Sequence, residues 1–425
     1  MDYQDTRDGN ALPLPAPSRD APPAGQIDAH PLEFSGSGGG YFRVWAVNVL
    51  LSIITLGFYT PWARRRTAQY FYSHSLVADS PLEFTAQQRK MVVGFVLLVL
   101  LTLAYKIAVE TGQDTAVALF LLGGAALAPY IWGSAMRFRL GATRWRGLRL
   151  QFTARWREVY IASWPVFALA LVWIGVVFGL QALAPEAGEA VQQAGAKARK
   201  ALPSVSWAMG GVVLLGIVLS LLCAIRLEYN YKSLLVQRTR LGAAAGRWKP
   251  VYLDFVKIWL ATVAVFVLSV VLIGALLAAA IGGSAVLLMG QAQRLGPWMF
   301  VLVLAGVVGG AVLLVLASAP ARAYREARMF QLVWNNVGLG QVARFKCGLR
   351  TRSYVLLRIK NILLTLFTLG LYRPFARVSE YRMKFESVTL FVKGGVDQVT
   401  GAMVRQQQGA LGDALADAAG LDLIG

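Results

Sequence analysis

The chain contains the stretch Asn48-Val-Leu-Leu-Ser-Ile-Ile-Thr-Leu-Gly-Phe-Tyr-Thr-Pro-Trp-Ala-Arg64, which returns without a gap as Asn361-Ile-Leu-Leu-Thr-Leu-Phe-Thr-Leu-Gly-Leu-Tyr-Arg-Pro-Phe-Ala-Arg377. The shared frame is N-x-L-L-x-x-x-T-L-G-x-Y-x-P-aromatic-A-R, and Tyr41 and Tyr354 upstream keep the same register. A match of this length indicates two copies of one structural unit. Each copy is an apolar stretch that is broken by Gly and Pro and closed by arginine. This pattern is typical of a membrane segment that meets a cytoplasmic interface.

The composition of the chain is that of a membrane protein. It is 56% hydrophobic and 15% charged, with a mean hydropathy of +0.53. Besides the two motif copies, six stretches approach or exceed the roughly 20 apolar residues that cross a bilayer. They are Met91–Val109, Thr115–Met136, Tyr160–Ala182, Trp207–Ile225, Val256–Gly282 and Pro297–Ala319. An ordinary soluble core does not explain six such runs in one chain.

The net charge of +20 is concentrated in alternate connectors between these stretches. Arginine and lysine are dense at 137–157, 226–257 and 322–352, whereas the intervening connectors carry little net charge. This alternation follows the positive-inside rule and predicts that the basic connectors are cytoplasmic. We expect them to lie near anionic lipid headgroups, and no nucleic-acid partner is predicted, because the arginines are tied to the ends of spans.

The two ends of the chain differ from its middle. Residues 1–40 are rich in Pro, Ala and Gly, which predicts a flexible tail, and residues 396–425 predict a second one. The transmembrane domain is accordingly expected at 41–395. Arginine and aromatic residues followed by a turn and an alternating run recur at 66–84, 137–152, 328–345 and 381–391. These segments predict a helical extension of a span, a turn and a short strand-like stretch.

Two topologies are open for the motif copies. If both copies span the membrane, the chain crosses it eight times; if both are re-entrant, it crosses six times and both termini are cytoplasmic. The length and apolarity of the copies favour spanning, whereas Arg382, Lys384 and Lys393 favour a cytoplasmic C terminus. The predicted fold class is therefore an all-α, polytopic and pseudo-symmetric helical bundle, with a two-fold axis along the membrane normal relating the two copies.

The motif frame, together with Thr143-Arg-Trp-Arg-Gly147 and Trp334-Asn-Asn336, resembles the YjgN family of bacterial inner-membrane proteins. The resemblance runs from about Phe34 to Gly395, and it departs from the frame only by Phe375 in the place of Trp62. It implies a multi-pass protein of the bacterial inner membrane. The family is one of unknown function, so the resemblance implies no substrate, reaction or catalytic residue.

The candidate functional residues come from the two motif copies. Asn48 and Asn361 are polar groups in apolar segments, and they line a shared pathway or form helix–helix hydrogen bonds; the second interpretation is favoured because such bonds are common in membranes. Thr55 and Thr368 precede Gly and Pro, where broken helices line transport sites. The favoured alternative is a helix end at the interface.

On that alternative, aromatic and basic residues anchor each copy at the membrane surface. The predicted anchors are Tyr59, Trp62, Arg64, Arg65, Arg66, Tyr372, Phe375 and Arg377.

The sequence contains no recognisable catalytic chemistry. It lacks a phosphate-binding loop, paired carboxylates and a nucleophile–base set, and His30 and His74 are its only histidines. No enzyme activity, cofactor or metal is predicted, and the oligomeric state stays open. Two functions are considered: a carrier or channel for an anionic or lipidic substrate, and a non-transporting scaffold that organises lipids through its basic cytoplasmic face.

Overall fold

The structure is a computed structural model that describes residues 27–193, 207–242, 244–290 and 298–401. The helices are α1 (Gly38–Ile54), α2 (Thr60–Ser73), α3 (Gln88–Glu110), α4 (Asp114–Gly141), α5 (Trp156–Ala162), α6 (Trp164–Gln193), α7 (Trp207–Gln237), α8 (Tyr252–Gly290), α9 (Trp298–Asn336), α10 (Thr351–Phe367) and α11 (Arg373–Phe385). The strands are β1 (Ile27–Pro31), β2 (Glu33–Phe34), β3 (Ser75–Val77), β4 (Ser80–Phe84), β5 (Thr143–Trp145), β6 (Leu148–Phe152), β7 (Thr239–Leu241), β8 (Ala244–Trp248), β9 (Val337–Leu339), β10 (Ala343–Cys347) and β11 (Val388–Lys393).

All eleven strands join one antiparallel sheet in the order β1-β11-β10-β9-β8-β7-β6-β5-β4-β3-β2. The two strands at the ends of this order are neighbours in the chain, separated only by Leu32, whose N–H donates to the Val388 carbonyl at 3.0 Å. The sheet therefore closes into a ring. The prediction of an all-α fold is wrong, because the basic connectors pair their backbones with one another across the sequence.

The ring is assembled from five similar units, each a group of helices followed by two antiparallel strands. The group is a pair of helices in four units and three helices, α5 to α7, in the unit before β7. In four units the strands are consecutive: β3–β4, β5–β6, β7–β8 and β9–β10. In the fifth unit, which follows α10 and α11, the chain ends supply the pair β11–β1. In these four units the longer strand pairs with its own partner and with the next unit, as β4 does with β3 and β5.

A recurring hydrogen bond supports this five-fold repeat. The first residue after the longer strand donates its N–H to the carbonyl of the residue just before the next unit's short strand. Thr85 bonds to Ala142 at 2.8 Å, Thr153 to Arg238 at 2.9 Å, and Ser35 to His74 at 3.0 Å. The two motif copies thus belong to adjacent units, the first and the fifth. The predicted two-fold relation between them is wrong, since a two-fold axis would place them on opposite sides of the ring.

Local sequence explains why these connectors form hairpins. Two units turn through two residues with positive φ, Ala78-Asp79 (46° and 59°) and Arg146-Gly147 (49° and 79°). Such pairs form the tight turn that suits the right-handed twist of the strands. The strands predicted within 66–84, 137–152, 328–345 and 381–391 are confirmed. β7 and β8 lie outside the segments in which strands were predicted.

The interior of the ring is a packed apolar core. Side chains on the inward face come from every unit and include Leu32, Leu148 and Val388, which are 3%, 0% and 1% exposed. Ala323 and Ala327 of α9 close the core on the helical side. The short helical segment 396–401 adds Val396, and Asp397 forms an ion pair with Arg146. Among the described residues the ring is therefore a solid core, and no open channel runs through it.

Five helical segments among the described residues are long and apolar enough to cross a membrane. They contain the first four predicted spans and most of the fifth, Val256–Gly282, and run through Gln88–Glu110, Asp114–Gly141, Trp156–Leu183, Trp207–Gln237 and Tyr252–Leu276. The sixth predicted span, Pro297–Ala319, falls on α9, where Pro297 and most of the outer side chains lie outside the described residues. Only 6–11% of each candidate span is buried within the protein, so most of its surface is left for lipid or partners.

Both motif copies form helical hairpins. α1 and α2 are antiparallel neighbours, and the Tyr70 hydroxyl near the end of α2 donates to the Ser37 carbonyl at 2.8 Å, next to the start of α1. The chain thus enters and leaves on the ring side, and α10 and α11 repeat the arrangement. Of the two predicted topologies, the re-entrant one matches the structure.

The boundaries of the folded region differ from the expected tails. The first tail was expected to extend to residue 40, but β1 begins at Ile27 and α1 at Gly38. Residues 396–401 of the second expected tail are helical, while residues 1–26 and 402–425 lie outside the described residues. The ordered N-terminal segment is explained by its role as the strand that closes the ring.

Candidate anion site between the motif hairpins

The Thr-Leu-Gly sequence forms the tip of each hairpin. Thr55 donates its hydroxyl to the Leu51 carbonyl at 2.7 Å and accepts the Tyr59 N–H at 3.0 Å. Thr368 makes the same two bonds with Leu364 and Tyr372, at 2.7 and 3.0 Å. Gly57 and Gly370 have φ values of 92° and 95°, a conformation that other residues rarely adopt. Both threonines therefore hold a turn, in agreement with the favoured alternative.

The two asparagines fasten the arms of each hairpin together. Asn48 is 6% exposed, and its Nδ2 donates to the Ala63 carbonyl at 3.3 Å and approaches the Thr67 hydroxyl at 3.5 Å. Asn361 is 1% exposed and donates to the Ala376 carbonyl at 3.3 Å. The Oδ1 atoms of both asparagines are buried without a donor. They form packing hydrogen bonds, yet they also line cavities.

Apolar side chains surround the hairpin tips. Leu56 and Leu369 are 90% and 95% exposed, and other apolar side chains at the tips are exposed as well. The predicted aromatic anchors lie just behind: Tyr59 stacks on Trp62 with ring centroids 6.0 Å apart, and Tyr372 stacks on Phe375 at 5.7 Å. Exposed leucines flanked by stacked aromatics match insertion into the interface of a membrane.

Arginines follow each tip on the returning arm. Arg64 and Arg66 are exposed, and the Nε of Arg65 is buried without a partner. Arg377 donates to the Tyr41 hydroxyl at 3.2 Å, and its guanidinium lies 5.5 Å from the centre of the Phe71 ring.

None of these four arginines is ion-paired with a carboxylate in the described parts of the chain. Their charges are therefore available to an external anion.

A cavity of about 790 Å³ lies between the first hairpin and α11. Three arginines line it, Arg64 from α2 and Arg373 and Arg377 from α11, together with Asn48 and Thr67. Trp45, Val49 and Ile53 supply an apolar wall, and none of the lining residues is acidic. We call this space the first motif cavity.

A second motif cavity of about 780 Å³ lies beside Asn361 and shares Arg373 and Arg377 with the first. Asn48 and Asn361 therefore line adjacent cavities and not a common one. The second cavity differs in charge, because Glu380 lines it and forms an ion pair with Arg358. Asn361 donates to the same carboxylate at 3.0 Å.

The first hairpin lies beside the apolar part of a span. Arg64 lines a further cavity with Phe95 and Leu98 of α3 and Arg139 of α4. Phe95 and Leu98 belong to the first half of a candidate membrane span, so Arg64 lies beside apolar span residues. A guanidinium in apolar surroundings is costly unless an anion or water reaches it.

Ion pairs hold the bases of the helices together where they meet the ring. Lys384 donates to Glu326 at 2.6 Å, linking α11 to α9. Burial alone would raise the pKa of Glu326, but the hydrogen bond and charge of Lys384, together with smaller effects of Tyr354 and Arg358, lower that pKa below its ordinary value of 4.5. The pair is structural, since it ties two helices at the edge of the packed core.

The outer face of the ring carries a separate group of cations, which we call the basic belt. Strand register places its members on the side opposite the core: Arg144, Arg149, Arg240, Arg247, Arg344, Lys346 and Lys393. Arg144 stands directly opposite Arg149, and like charges in this arrangement are destabilising. The belt is separate from the hairpin tips and does not line the motif cavities.

Sequence reasoning missed Thr67, Arg373, Glu380 and Arg358 as site residues. Extending the repeat frame would have found them, because Thr67 aligns with Glu380 and Trp45 with Arg358 at the same spacing as Asn48 and Asn361. Within the described residues, no group of three His, Cys, Asp or Glu side chains could hold a metal ion.

Comparison with known proteins places the chain in a family. The family described as "Bacterial protein of unknown function (DUF898)" matches residues 29–418. The inner membrane protein YjgN of Salmonella typhimurium is 28% identical over 145 residues, which cover 34% of this chain and 35% of that protein. The inner membrane protein YjgN of Escherichia coli O157:H7 is 25% identical over 152 residues, covering 36% and 38%.

The aligned segments thus span little more than a third of these relatives, and no solved structure matches the chain. The relatives and the membrane-capable helices agree on a location in the bacterial inner membrane. With a match that covers most of its length, from the closing strand to beyond the ring, this chain belongs to the DUF898 family of bacterial proteins.

Proposed function

We propose that this protein binds and organises anionic lipids of the inner leaflet through its motif hairpins. The observation that carries the proposal is the first motif cavity, which three arginines line without any acidic residue. Exposed apolar tips stand at the head of the same hairpins. An amphiphile with an anionic headgroup fits both features, because the arginines attract the headgroup and the tips contact its acyl chains.

The remainder of the fold supports a role in binding without passage through the ring. The interior of the ring is filled by apolar side chains from all five units. The candidate spans bury little of their own surface, so lipid has access to them along most of their length. Such a molecule presents a broad lipid-facing surface above a rigid cytoplasmic base.

Native mass spectrometry of the protein from nanodiscs of phosphatidylethanolamine and phosphatidylglycerol tests the proposal. We expect phosphatidylglycerol to be retained preferentially, and the double variant Arg64→Gln/Arg377→Gln to lose this preference. Arg149→Gln in the basic belt is the matched control, because it removes an arginine that does not line the motif cavities. Retention of lipids in their bulk proportions would contradict the proposal.

A carrier for an anionic substrate is the second candidate. It is favoured by one observation: the two motif cavities adjoin and share Arg373 and Arg377, which offers an anion two neighbouring stations. Proteoliposomes distinguish the two functions. Uptake of a labelled organic anion that depends on Arg377 would support the carrier, whereas lipid retention without uptake would support the lipid-organising role.

A further inference from the structure

The two motif copies differ at one chemically decisive position. The residue that follows the conserved arginine by three places is Thr67 in the first copy and Glu380 in the second. Both face the buried asparagine of their own hairpin: Asn48 Nδ2 approaches Thr67 at 3.5 Å, and Asn361 Nδ2 donates to Glu380 at 3.0 Å. One copy therefore has a carboxylate where the other has a small hydroxyl.

In the second copy the carboxylate has its hydrogen-bond donor and its cation within the protein itself. Glu380 accepts from Asn361 and pairs with Arg358, and its side chain is 12% exposed. Arg358 occupies the position of Trp45 in the first copy. The second copy thus has both the carboxylate and its cation where the first copy has neither. A buried charge of this kind is stable only when it is paired and hydrogen-bonded.

In the first copy the corresponding space is open and carries unbalanced positive charge. Arg64, Arg373 and Arg377 line it, and no acidic side chain does. Asn48 is 6% exposed, lines the same cavity and has an Oδ1 without a donor. Three guanidinium groups without an ion-pair partner in the described parts of the chain surround this one cavity, which points to an anionic ligand.

We infer that the first motif cavity binds a phosphate-bearing headgroup at the place that corresponds to the Glu380 carboxylate in the second copy. The inference rests on the proposed lipid binding and assigns that binding to one site. Arginine recognises phosphate through paired hydrogen bonds, which gives it an advantage over lysine at such a site. The apolar wall of Trp45, Val49 and Ile53 then accommodates the glycerol and acyl portions.

The free Oδ1 of Asn48 adds a preference within this class. It can accept a hydrogen bond, so a headgroup that bears a hydroxyl or ammonium donor satisfies it, whereas a quaternary ammonium cannot. Leaving the atom unpaired is unfavourable. The expected order of binding is accordingly phosphatidylglycerol above a phosphatidylcholine of the same chain length.

Replacing Thr67 of the first copy by the glutamate of the second copy tests the inference. Thr67→Glu places the internal carboxylate in the first cavity and should weaken binding at least about tenfold, because it competes with the ligand for the same arginines. Thr67→Gln adds similar bulk without charge and should weaken binding far less.

Binding is measured in two arms, with phosphatidylglycerol in nanodiscs and with inorganic phosphate and glycerol phosphate in detergent. Loss of binding in Thr67→Glu, with Thr67→Gln largely retained, supports the site. Equal affinity of folded Thr67→Glu and the native chain overturns it. Native chain that binds soluble phosphate but does not enrich phosphatidylglycerol keeps the anion site and refutes the lipid function. Enrichment that Thr67→Glu leaves intact refutes the site and keeps the function.

Discussion

The ring and the membrane spans are formed by the same units of the chain, yet they are packed very differently. The inward face of the ring contains side chains such as Leu148 and Val388 that are 0% and 1% exposed. In the candidate spans only 6–11% of the residues are buried. Packing within the protein on the ring side therefore specifies the fold, whereas the spans depend on lipid or partners for their contacts.

The largest expected effect separates these two regions by one matched pair of substitutions. Leu148→Ala should lower the free energy of unfolding by about 2–5 kcal/mol, because it leaves a cavity in the ring core. Leu119→Ala removes the same atoms from a side chain that is 65% exposed on α4, and should cost about 0.5 kcal/mol or less. Unfolding of both variants in one detergent measures the difference. Equal losses of unfolding free energy in the two variants would show that the ring and the spans do not differ in packing.

A second pair of variants compares the hairpins. Asn361→Ala removes a donor from the Glu380 carboxylate and should cost about 3 kcal/mol, since a buried charged group loses a hydrogen bond. Asn48→Ala removes only hydrogen bonds to neutral acceptors at 3.3 and 3.5 Å and should cost about 1 kcal/mol. Thermal unfolding of the two variants provides the measurement. A larger loss in Asn48→Ala would show that the first hairpin, not the second, is the better braced.

Charge removal at a hairpin sharpens the contrast between anchoring and folding. Replacing Arg64, Arg65 and Arg66 by Gln should weaken the attachment of the first hairpin to anionic lipid by about 1 kcal/mol per arginine. The ring and the spans should remain in place, because their contacts do not involve these residues.

A cysteine at Leu56, which lies at the tip, reports this change by faster labelling from the ring side. Labelling of Leu56→Cys that is unaffected by the triple substitution would defeat the anchoring account.

In intact cells, a membrane-impermeant reagent should not reach a cysteine at Arg146 or Lys232, since the basic connectors are predicted to be cytoplasmic.

The smallest expected effect concerns the ion pair at the base of the helices. The lowered pKa of Glu326 means that its charged form stabilises the folded state above the ordinary value of 4.5. This contribution is lost as the pH falls below 4.5 and through the lowered folded-state pKa. The variant Glu326→Gln should therefore be less stable than the native chain at neutral pH, and the gap should narrow in acid. Parallel melting curves across this pH range would show whether the gap stays constant instead.

The membrane segments could be predicted from the sequence, whereas the ring could not. Long apolar runs such as Met91–Val109 identify themselves by length alone. Each strand of the ring has at most six residues, and its partner is a distant segment, as when Ile27 pairs with Lys393. One local signal was present: Pro-Leu-Glu-Phe occurs at 31–34 and again at 81–84, in equivalent strand positions.

Only part of the candidate site could be predicted from the sequence. The repeat identified Asn48, Asn361, Thr55 and Thr368 by their identity between copies, and these residues hold the hairpins in shape. The cavity chemistry lies where the copies differ, at Thr67 and Glu380. A search for shared residues passes over such a position, and only the geometry shows that both side chains face the same asparagine.

Closure of the ring by β1 and β11 has a consequence for the synthesis of the protein. Among the described strands, β1 is made first and keeps an unpaired edge until β11 has left the ribosome, because β11 is its partner. A chain that stops before β11 would keep two open sheet edges, which are sites of aggregation and proteolysis. The seam between Ile27 and Lys393 thus closes only after all the other described strands have been made.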